Sequence, residues 1–343
     1  MSFSVRLKPS DRSFSVEADR TVLGTALANG IGLPYSCSSG ICRTCCARVV
    51  EGSVKHKFSS LSAQEEDAGF ALLCQAMPLT DLVIEAQEVS LVGKIEVQRV
   101  IVSEMRLAAP DVMVVTLRLP PRKSLNYLGG QYLEVLLPDG EARRYSLATV
   151  PQVAGNWEFD LHIRHCPGGR FTDHVFGAMK ARSALTIRGP LGTFFLREDS
   201  DRPIILVASG TGYAPIRALL GRALEAQTQR DIWLYWGARS RGDLYLADEP
   251  RQWAERHERL RFVPVLSEPL PSDHWQGRTG FVHQAVMADF PDLSGMQAYA
   301  CGAPAMVDAA RRDFVNLRDL PAAQFFADAF LNEADLAEKA TTA

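Results

Sequence analysis

Pro34-Tyr35-Ser36-Cys37-Ser38-Ser39-Gly40-Ile41-Cys42-Arg43-Thr44-Cys45 is the stretch on which the reading of this chain turns. Its thiols follow C-x4-C-x2-C, and a fourth, Cys74, comes after 28 intervening residues. Thiolates gathered in one loop concentrate negative charge, so backbone N–H groups have to turn inward and donate to sulfur. Ser38, Ser39 and Gly40 are small enough to permit this, and Gly40 is free to take a positive φ.

Three chemistries use grouped cysteines. Disulfides require an oxidising compartment, yet Met1-Ser2-Phe3-Ser4-Val5-Arg6 opens directly into an alternating strand with no charged-then-apolar leader, and seven cysteines is an odd number. Zinc loops favour paired C-x2-C knuckles, of which Cys42 and Cys45 form the one example. The order of the four cysteines resembles the plant-type ferredoxin pattern, with three ligands in a tight loop and the fourth returning from a distance. That resemblance implies a 2Fe-2S cluster on Cys37, Cys42, Cys45 and Cys74 and an α+β, β-grasp domain over residues 1–92. Ile41, Arg43 and Cys46 depart from the pattern, where such loops carry smaller residues or no thiol; they bear on potential and exposure. Cys46, beside Cys45 in an extended segment, points the other way and is left out of the ligand set.

Working outward, Phe3, Val5 and Leu7 alternate with polar residues, as do Phe14 and Val16 beyond Pro9-Ser10-Asp11-Arg12, which predicts a β-hairpin. Leu23, Ala26 and Leu27 have helical spacing, with Asn29-Gly30 as the stop. Arg48-Val49-Val50 reads as a strand, Ser62-Ala63-Gln64-Glu65 as a capping box on a short helix leading to Cys74, and Leu82-Val83-Ile84-Glu85 as the strand that closes the sheet.

The whole chain is larger than one such domain. Its 343 residues suggest two or three cores, and 47% hydrophobic with 22% charged residues is ordinary globular composition. A formal net charge of -3 argues against a nucleic-acid partner. No apolar run approaches the ~20 residues that span a bilayer, so no membrane partner is expected and the expected location is the cytoplasm.

After a join at Gly93-Lys94, Val100-Ile101-Val102, Val112 to Leu117 and Gln131 to Leu137 are strand-like, punctuated by Pro110, Pro120-Pro121, Gly129-Gly130 and Pro138-Asp139-Gly140. They predict a small antiparallel barrel over residues 96–198. Arg143-Arg144-Tyr145-Ser146 resembles the R-x-Y-S signature of ferredoxin-reductase-like flavoproteins. The resemblance implies FAD, with Arg143 for a phosphate, Tyr145 against the flavin or its ribityl chain and Ser146 near flavin N5. A charged strand end with a buried tyrosine would look the same. Pro167-Gly168-Gly169-Arg170-Phe171-Thr172 adds a turn like that family's pyrophosphate turn, implying roles for Gly168, Gly169 and Thr172, although an ordinary helix cap shares the pattern. Gly189-Pro190-Leu191-Gly192-Thr193-Phe194 completes the order. His162, His165 and His174 are given no role.

Residues 199–343 alternate strand and helix. Ile204-Ile205-Leu206-Val207-Ala208 suits a strand of a parallel sheet buried on both faces. Ser209-Gly210-Thr211-Gly212-Tyr213-Ala214-Pro215 then leads into Ile216, Leu219, Leu220 and Ala223 at helical spacing. Glycines let backbone approach a pyrophosphate, and a helix N-terminus offers about half a unit of positive charge. Pro215 stands where a dehydrogenase fingerprint has its third glycine, and the stretch resembles instead the G-T-G-x-x-P of ferredoxin reductases, implying Gly210, Thr211, Gly212 and Pro215 as nicotinamide-nucleotide contacts. Strands are expected at Ile232 to Trp236 and Phe262 to Leu266. Cys301-Gly302-Ala303-Pro304-Ala305-Met306 resembles the family's C-G-x-P-x-M, which places Cys301 and Gly302 beside the nicotinamide; a buried thiol at a strand end is the plainer account. Phe325-Phe326-Ala327-Asp328-Ala329-Phe330 resembles the aromatic segment covering the flavin, with Phe330 at its end, or is an amphipathic core strand.

The three regions in this order resemble the oxygenase-reductase family, with a particular likeness to CDP-6-deoxy-glucoseen reductases. The resemblance implies electrons passing from a nicotinamide to FAD, to the cluster, and singly to a partner: a Rieske or diiron oxygenase, or a deoxysugar dehydratase. A redox-sensing binding protein is the alternative of another class. For the donor, Arg239 and Arg241 would suit a 2′-phosphate and Asp243 would repel one. NADH is expected, with NADPH kept open.

Overall fold

The computed structural model describes residues 1–91 and 94–330, which belong to two compact units. In the first, β1 (Ser2–Lys8) pairs antiparallel with β2 (Ser13–Glu17), burying Val5, Leu7, Phe14 and Val16 on one face as the alternation requires. Helix α1 (Val22–Ala28) begins where Thr21 Oγ1 accepts from the Gly24 N–H at 3.2 Å, and it stops at Asn29.

Beyond the cysteine loop come β3 (Cys46–Glu51), β4 (Val54–His56), α2 (Ala63–Asp67), β5 (Phe70–Leu72), β6 (Ala76–Pro78) and β7 (Leu82–Glu85). The predicted capping box is formed by Ser62 and Glu65. One expectation changes. β7 does not close the sheet at its edge: the order is β2-β1-β7-β3-β5, with β7 parallel to β1 and antiparallel to β3. Leu82, Val83 and Ile84 are all buried, so the last strand is inserted at the centre, where a continuous apolar run belongs.

The second unit starts with a six-stranded antiparallel sheet of order β11-β10-β13-β8-β9-β12. Its members are β8 (Glu96–Ala109), β9 (Val112–Arg118), β10 (Tyr132–Leu136), β11 (Ala142–Ser146), β12 (Glu158–Arg164) and β13 (Ala184–Leu191), with α3 (Arg170–Gly177) between the last two. An antiparallel bridge from Leu147 to Leu161 joins the two ends and makes the barrel. Val102, Val115, Leu117, Leu133, Val135 and Phe159 fill it. β8 is far longer than the Val100–Val102 run, because its outer face alternates with charge and reads as polar.

Then follow β14 (Ile204–Ser209), α4 (Tyr213–Glu225), β15 (Ile232–Ala238), α5 (Asp248–Arg256), β16 (Leu260–Leu266), β17 (Arg278–Thr279), α6 (Val282–Asp289), β18 (Gln297–Gly302), α7 (Pro304–Leu317) and β19 (Phe325–Ala329). They build an all-parallel sheet of order β17-β16-β15-β14-β18-β19. Five consecutive residues of β14, Ile204 to Ala208, are buried, as a strand covered on both faces must be. Because β14 and β18 are neighbours and parallel, their C-terminal ends bring Gly210 and Cys301 to one edge. The third predicted region extends to residue 343, and its part after 330 lies outside the described residues.

Candidate cluster, flavin and nicotinamide sites

The four cysteines of the resemblance converge in two pairs. Cys37 and Cys42 share a side-chain hydrogen bond, as do Cys45 and Cys74, and all four are buried. Within each pair one thiol is pushed down and the other up. The Cys42 side chain and then the N–H groups of Cys42, Ser39 and Ile41 hold Cys37 at about 5, while its bond to Cys37 and then burial push Cys42 up. Likewise Cys74 is lowered by Cys45, and Cys45 is raised by Cys74 and by burial. Two irons taking two thiolates each call for two such pairs, Cys37 with Cys42 and Cys45 with Cys74. The residues present therefore fit a 2Fe-2S cluster.

Backbone donors point as the sequence requires. Ser39 N–H and Cys42 N–H donate to Cys37 Sγ at 3.4 and 3.3 Å, and Cys37 N–H donates to Cys42 Sγ at 3.4 Å. Gly40 has φ +79, and a Cβ there would stand 2.9 Å from Gln75 Cγ and 3.0 Å from the Phe58 ring. The segment after β4 grips this loop: Ser60 Oγ donates to Gly40 O at 2.6 Å, and Arg43 is ion-paired with Glu65, the residue that also caps α2. Cys46 starts β3 opposite Leu72, half-buried and outside the two pairs.

In the barrel, β11 carries Arg143, Tyr145 and Ser146. Ser146 Oγ is buried and has no hydrogen-bond partner among the described residues, a hydroxyl whose bond is left for something else. The Tyr145 ring lies 5.4 Å from that of Phe171 in the first turn of α3, so the tyrosine strand and the glycine turn meet. Arg143 Nη1 donates to Glu141 Oε2 at 3.1 Å. Thr172 spends its hydroxyl on the loop itself, donating to Cys166 O at 2.9 Å and accepting from Cys166 N–H at 3.2 Å. Gly168 N–H donates to Asp173 Oδ2 at 3.1 Å, and Gly169 is the N-cap of α3. A buried hydroxyl with no partner, on the strand that also carries Arg143 and Tyr145, fits a flavin.

At the sheet edge, Gly210–Gly212 form one 3-10 turn and α4 begins at Tyr213, with Pro215 in its first turn where the missing N–H costs nothing. No side chain caps α4 and no acidic residue stands in its first turn, which leaves the positive end for an anion. The turn interlocks with Cys301-Gly302: a Cβ on Gly212 would stand 2.2 Å from Cys301 O, and one on Gly302 (φ +140) 2.1 Å from Ser209 Oγ. Cys301 is fully buried, and burial followed by the Asp328 charge pushes its thiol up. The Phe330 N–H donates to Gly302 O at 2.8 Å, so Gly210, Cys301 and Phe330 share an edge, with Phe325–Ala329 as its outer strand. Asp243 accepts from Ser240 N–H at 3.0 Å; Arg241 is tied to Asp273, and Arg239 lies 3.8 Å from Asp243 with its side chain 64% exposed.

Sequence reasoning passed over the framework behind these ends. His162 Nδ1 lies 2.9 Å from Tyr245 Oη, and burial, then the charges of Arg217 and Arg106, push His162 down to about 3. Tyr213 stacks on Trp236 with centroids 3.9 Å apart, and Trp236 Nε1 donates to Gly210 O. Arg217 donates to both Glu249 oxygens and to Ala148 O, two residues past Ser146. No local pattern marks these partners, since they lie 23 to 83 residues apart.

Comparison with known proteins agrees with this geometry. Residues 5–79 match the 2Fe-2S iron-sulfur cluster binding domain family, 99–196 the oxidoreductase FAD-binding domain family and 206–312 the oxidoreductase NAD-binding domain family. The chain is 36% identical over 335 residues to CDP-6-deoxy-L-threo-D-glycero-4-hexulose-3-dehydrase reductase of Yersinia pseudotuberculosis, covering 96% of this chain and 99% of the relative. It is 34% identical to reductase component 1 of terephthalate 1,2-dioxygenase from Comamonas, covering 96% and 98%. Among solved structures, the Amycolatopsis reductase GcoB superposes with a TM-score of 0.76 at 34% identity, covering 96% of this chain and 98% of that one. The ferredoxin reductase of carbazole 1,9a-dioxygenase gives 0.67 at 28%, covering 96% and 99%.

Proposed function

Because this chain belongs to the family of reductases that join 2Fe-2S, FAD and nicotinamide domains in one polypeptide, we propose that it oxidises NADH and hands electrons singly to a partner protein, foremost a Rieske or diiron terminal oxygenase. When bound, FAD would take up one hydride, that is two electrons, and the cluster would carry one electron at a time. The observation that carries the reading is a two-by-two thiol set in a chain that also holds a flavin barrel and a nicotinamide sheet. Such a chain turns a two-electron donor into one-electron output.

The chain's own residues divide the labour. Ser146 offers its unpartnered hydroxyl to flavin N5, and Tyr145 lies along the flavin. Arg143 and the turn at Gly168-Gly169 receive the flavin phosphates, with Thr172 holding that turn in shape. Gly210, Thr211, Gly212 and Pro215 form the turn against which the nicotinamide nucleotide's phosphates rest. Cys301 and Gly302 wall the nicotinamide ring, and Phe330 covers the flavin from the same edge. Arg239 and Asp243 border the adenosine end, where Asp243 disfavours a 2′-phosphate.

A deoxysugar dehydratase is the second acceptor to consider, favoured by the Yersinia relative. The test is turnover: protein carrying one FAD and one 2Fe-2S cluster is given NADH and, in turn, a Rieske oxygenase, a diiron oxygenase and a deoxysugar dehydratase. Coupled NADH oxidation with an oxygenase supports the proposal; coupling with the dehydratase alone replaces it. A chain that reduces its cluster but turns over with none of them, and changes only its binding, is a sensor. Zinc in place of iron and acid-labile sulfide overturns the reading at its root.

A further inference from the structure

Gln75 follows Cys74 and has no part in the roles above. Its amide Nε2 stands 3.0 Å from Ser38 O and 3.9 Å from Cys74 Sγ. Both neighbours are acceptors, so the nitrogen is the end that must face them. The stem is fixed as well, because Gln75 Cγ occupies the space a Cβ on Gly40 would need, and the Gln75 N–H is bonded to Leu72 O at 2.8 Å. One side chain thus reaches the loop that carries Cys37, Cys42 and Cys45 and also touches the sulfur of the remaining thiol.

We propose that Gln75 is a positioning residue that sets the reduction potential of the cluster, by donating its amide to Cys74 Sγ while tying the Ser38 carbonyl to the same segment. This rests on the reading that the four cysteines hold a 2Fe-2S cluster. Reduction adds one electron, and negative charge on the ligand sulfurs grows; a donor aimed at one of them stabilises the reduced form more than the oxidised form and raises the potential. The tie to Ser38 O holds the donor in place without cost at the moment of transfer, because the amide has two hydrogens and serves both acceptors at once.

The test is a redox titration of the holoprotein, followed by the visible absorption and electron paramagnetic resonance of the cluster. Gln75→Leu keeps the volume and removes the donor. At the solution potential that half-reduces the wild-type cluster, its reduced-to-oxidised ratio should fall about tenfold, equal to about 59 mV for a one-electron couple. Gln75→Lys keeps a donor and adds charge, so its midpoint should lie at or above that of the wild type. Flavin reduction by NADH should be unchanged in both. A cluster present in Gln75→Leu with the wild-type midpoint overturns the proposal. If Gln75→Leu fails to hold its cluster, Gln75→Lys decides: a midpoint below the wild type rejects the role, and one at or above it upholds it. A wild-type protein without iron and sulfide instead defeats the underlying reading, an outcome visible before any variant is made.

Discussion

The cysteine loop and the sheet edge build their sites by opposite means. In the loop, three of four thiols and most of their donors come from residues 37–42 and 45, so the chain need only fold back once, at Cys74, to finish the job. At the sheet edge nothing is local: Ser209, Gly210, Cys301, Gly302 and Phe330 are adjacent because β14, β18 and β19 run parallel and in register. The loop spends backbone N–H groups on sulfur; the edge spends glycines on close approach. A change in the loop should therefore strike one cofactor alone, whereas a change at the edge or in the barrel behind it should be felt through rate, geometry and stability.

The sharpest way to break that contrast is Cys37→Ser. It should abolish the cluster and all electron delivery to a protein acceptor, while FAD content and NADH-driven ferricyanide reduction stay at wild-type levels; iron analysis with the two assays checks it. Loss of FAD in the same variant would mean that the two sites are not independent.

Next in size is Ser146→Ala in the barrel. Losing one positioned contact at the hydride step should slow flavin reduction on the order of 10²-fold, with FAD still bound. Stopped-flow reduction at the wild-type rate would remove Ser146 from the chemistry and leave its unpartnered hydroxyl unexplained.

A third test concerns the framework. His162 is pushed down to about 3 by burial, against about 6.5 when unfolded, so folding keeps it neutral. The unfolded chain binds the extra proton, and the stability His162 contributes is present above the unfolded value and lost as pH falls below it. The loss is about 2 kcal/mol at pH 5. Denaturant midpoints of the second unit should thus fall between pH 7 and 5, and fall less steeply in His162→Gln. Equal slopes would assign the pH dependence elsewhere.

The smallest effect sharpens the comparison most finely. Cys46→Ser should leave iron content, potential and turnover unchanged, with stability within about 0.5 kcal/mol, because Cys46 stands outside both thiol pairs. A lost cluster here would redraw the ligand set.

The same division governs what could be read from the residues alone. The convergence of Cys37, Cys42, Cys45 and Cys74 was legible because three of them sit in a short, spaced pattern. The Ser62–Glu65 cap and the buried run of β14 were legible for the same local reason. The central place of β7 was not, since a four-residue apolar run fits an edge or a centre equally, and the pairing partner decides. Gln75 escaped because a glutamine beside a cysteine has no meaning until Ser38 is brought opposite it. The acceptor role of Asp243 within its own turn was not legible either: its carboxylate takes the Ser240 N–H, as a carboxylate three residues past a serine readily does. The partners of the Thr172 hydroxyl, Cys166 N–H and Cys166 O, could not be read from the turn pattern alone.

The interlock of Gly212 with Cys301, and of Gly302 with Ser209, divides this region into parts that can and cannot vary. A single added methyl at either glycine would meet backbone or hydroxyl oxygen at little more than 2 Å, so this turn is closed to ordinary substitution. Arg239, by contrast, is largely exposed and bound by one long ion pair. If residues 239–243 border the adenosine end as proposed, descendants of this chain, natural or engineered, can exchange one nicotinamide donor for the other there while inheriting the Gly212–Cys301 interlock unaltered, and variation in donor preference should accumulate there first.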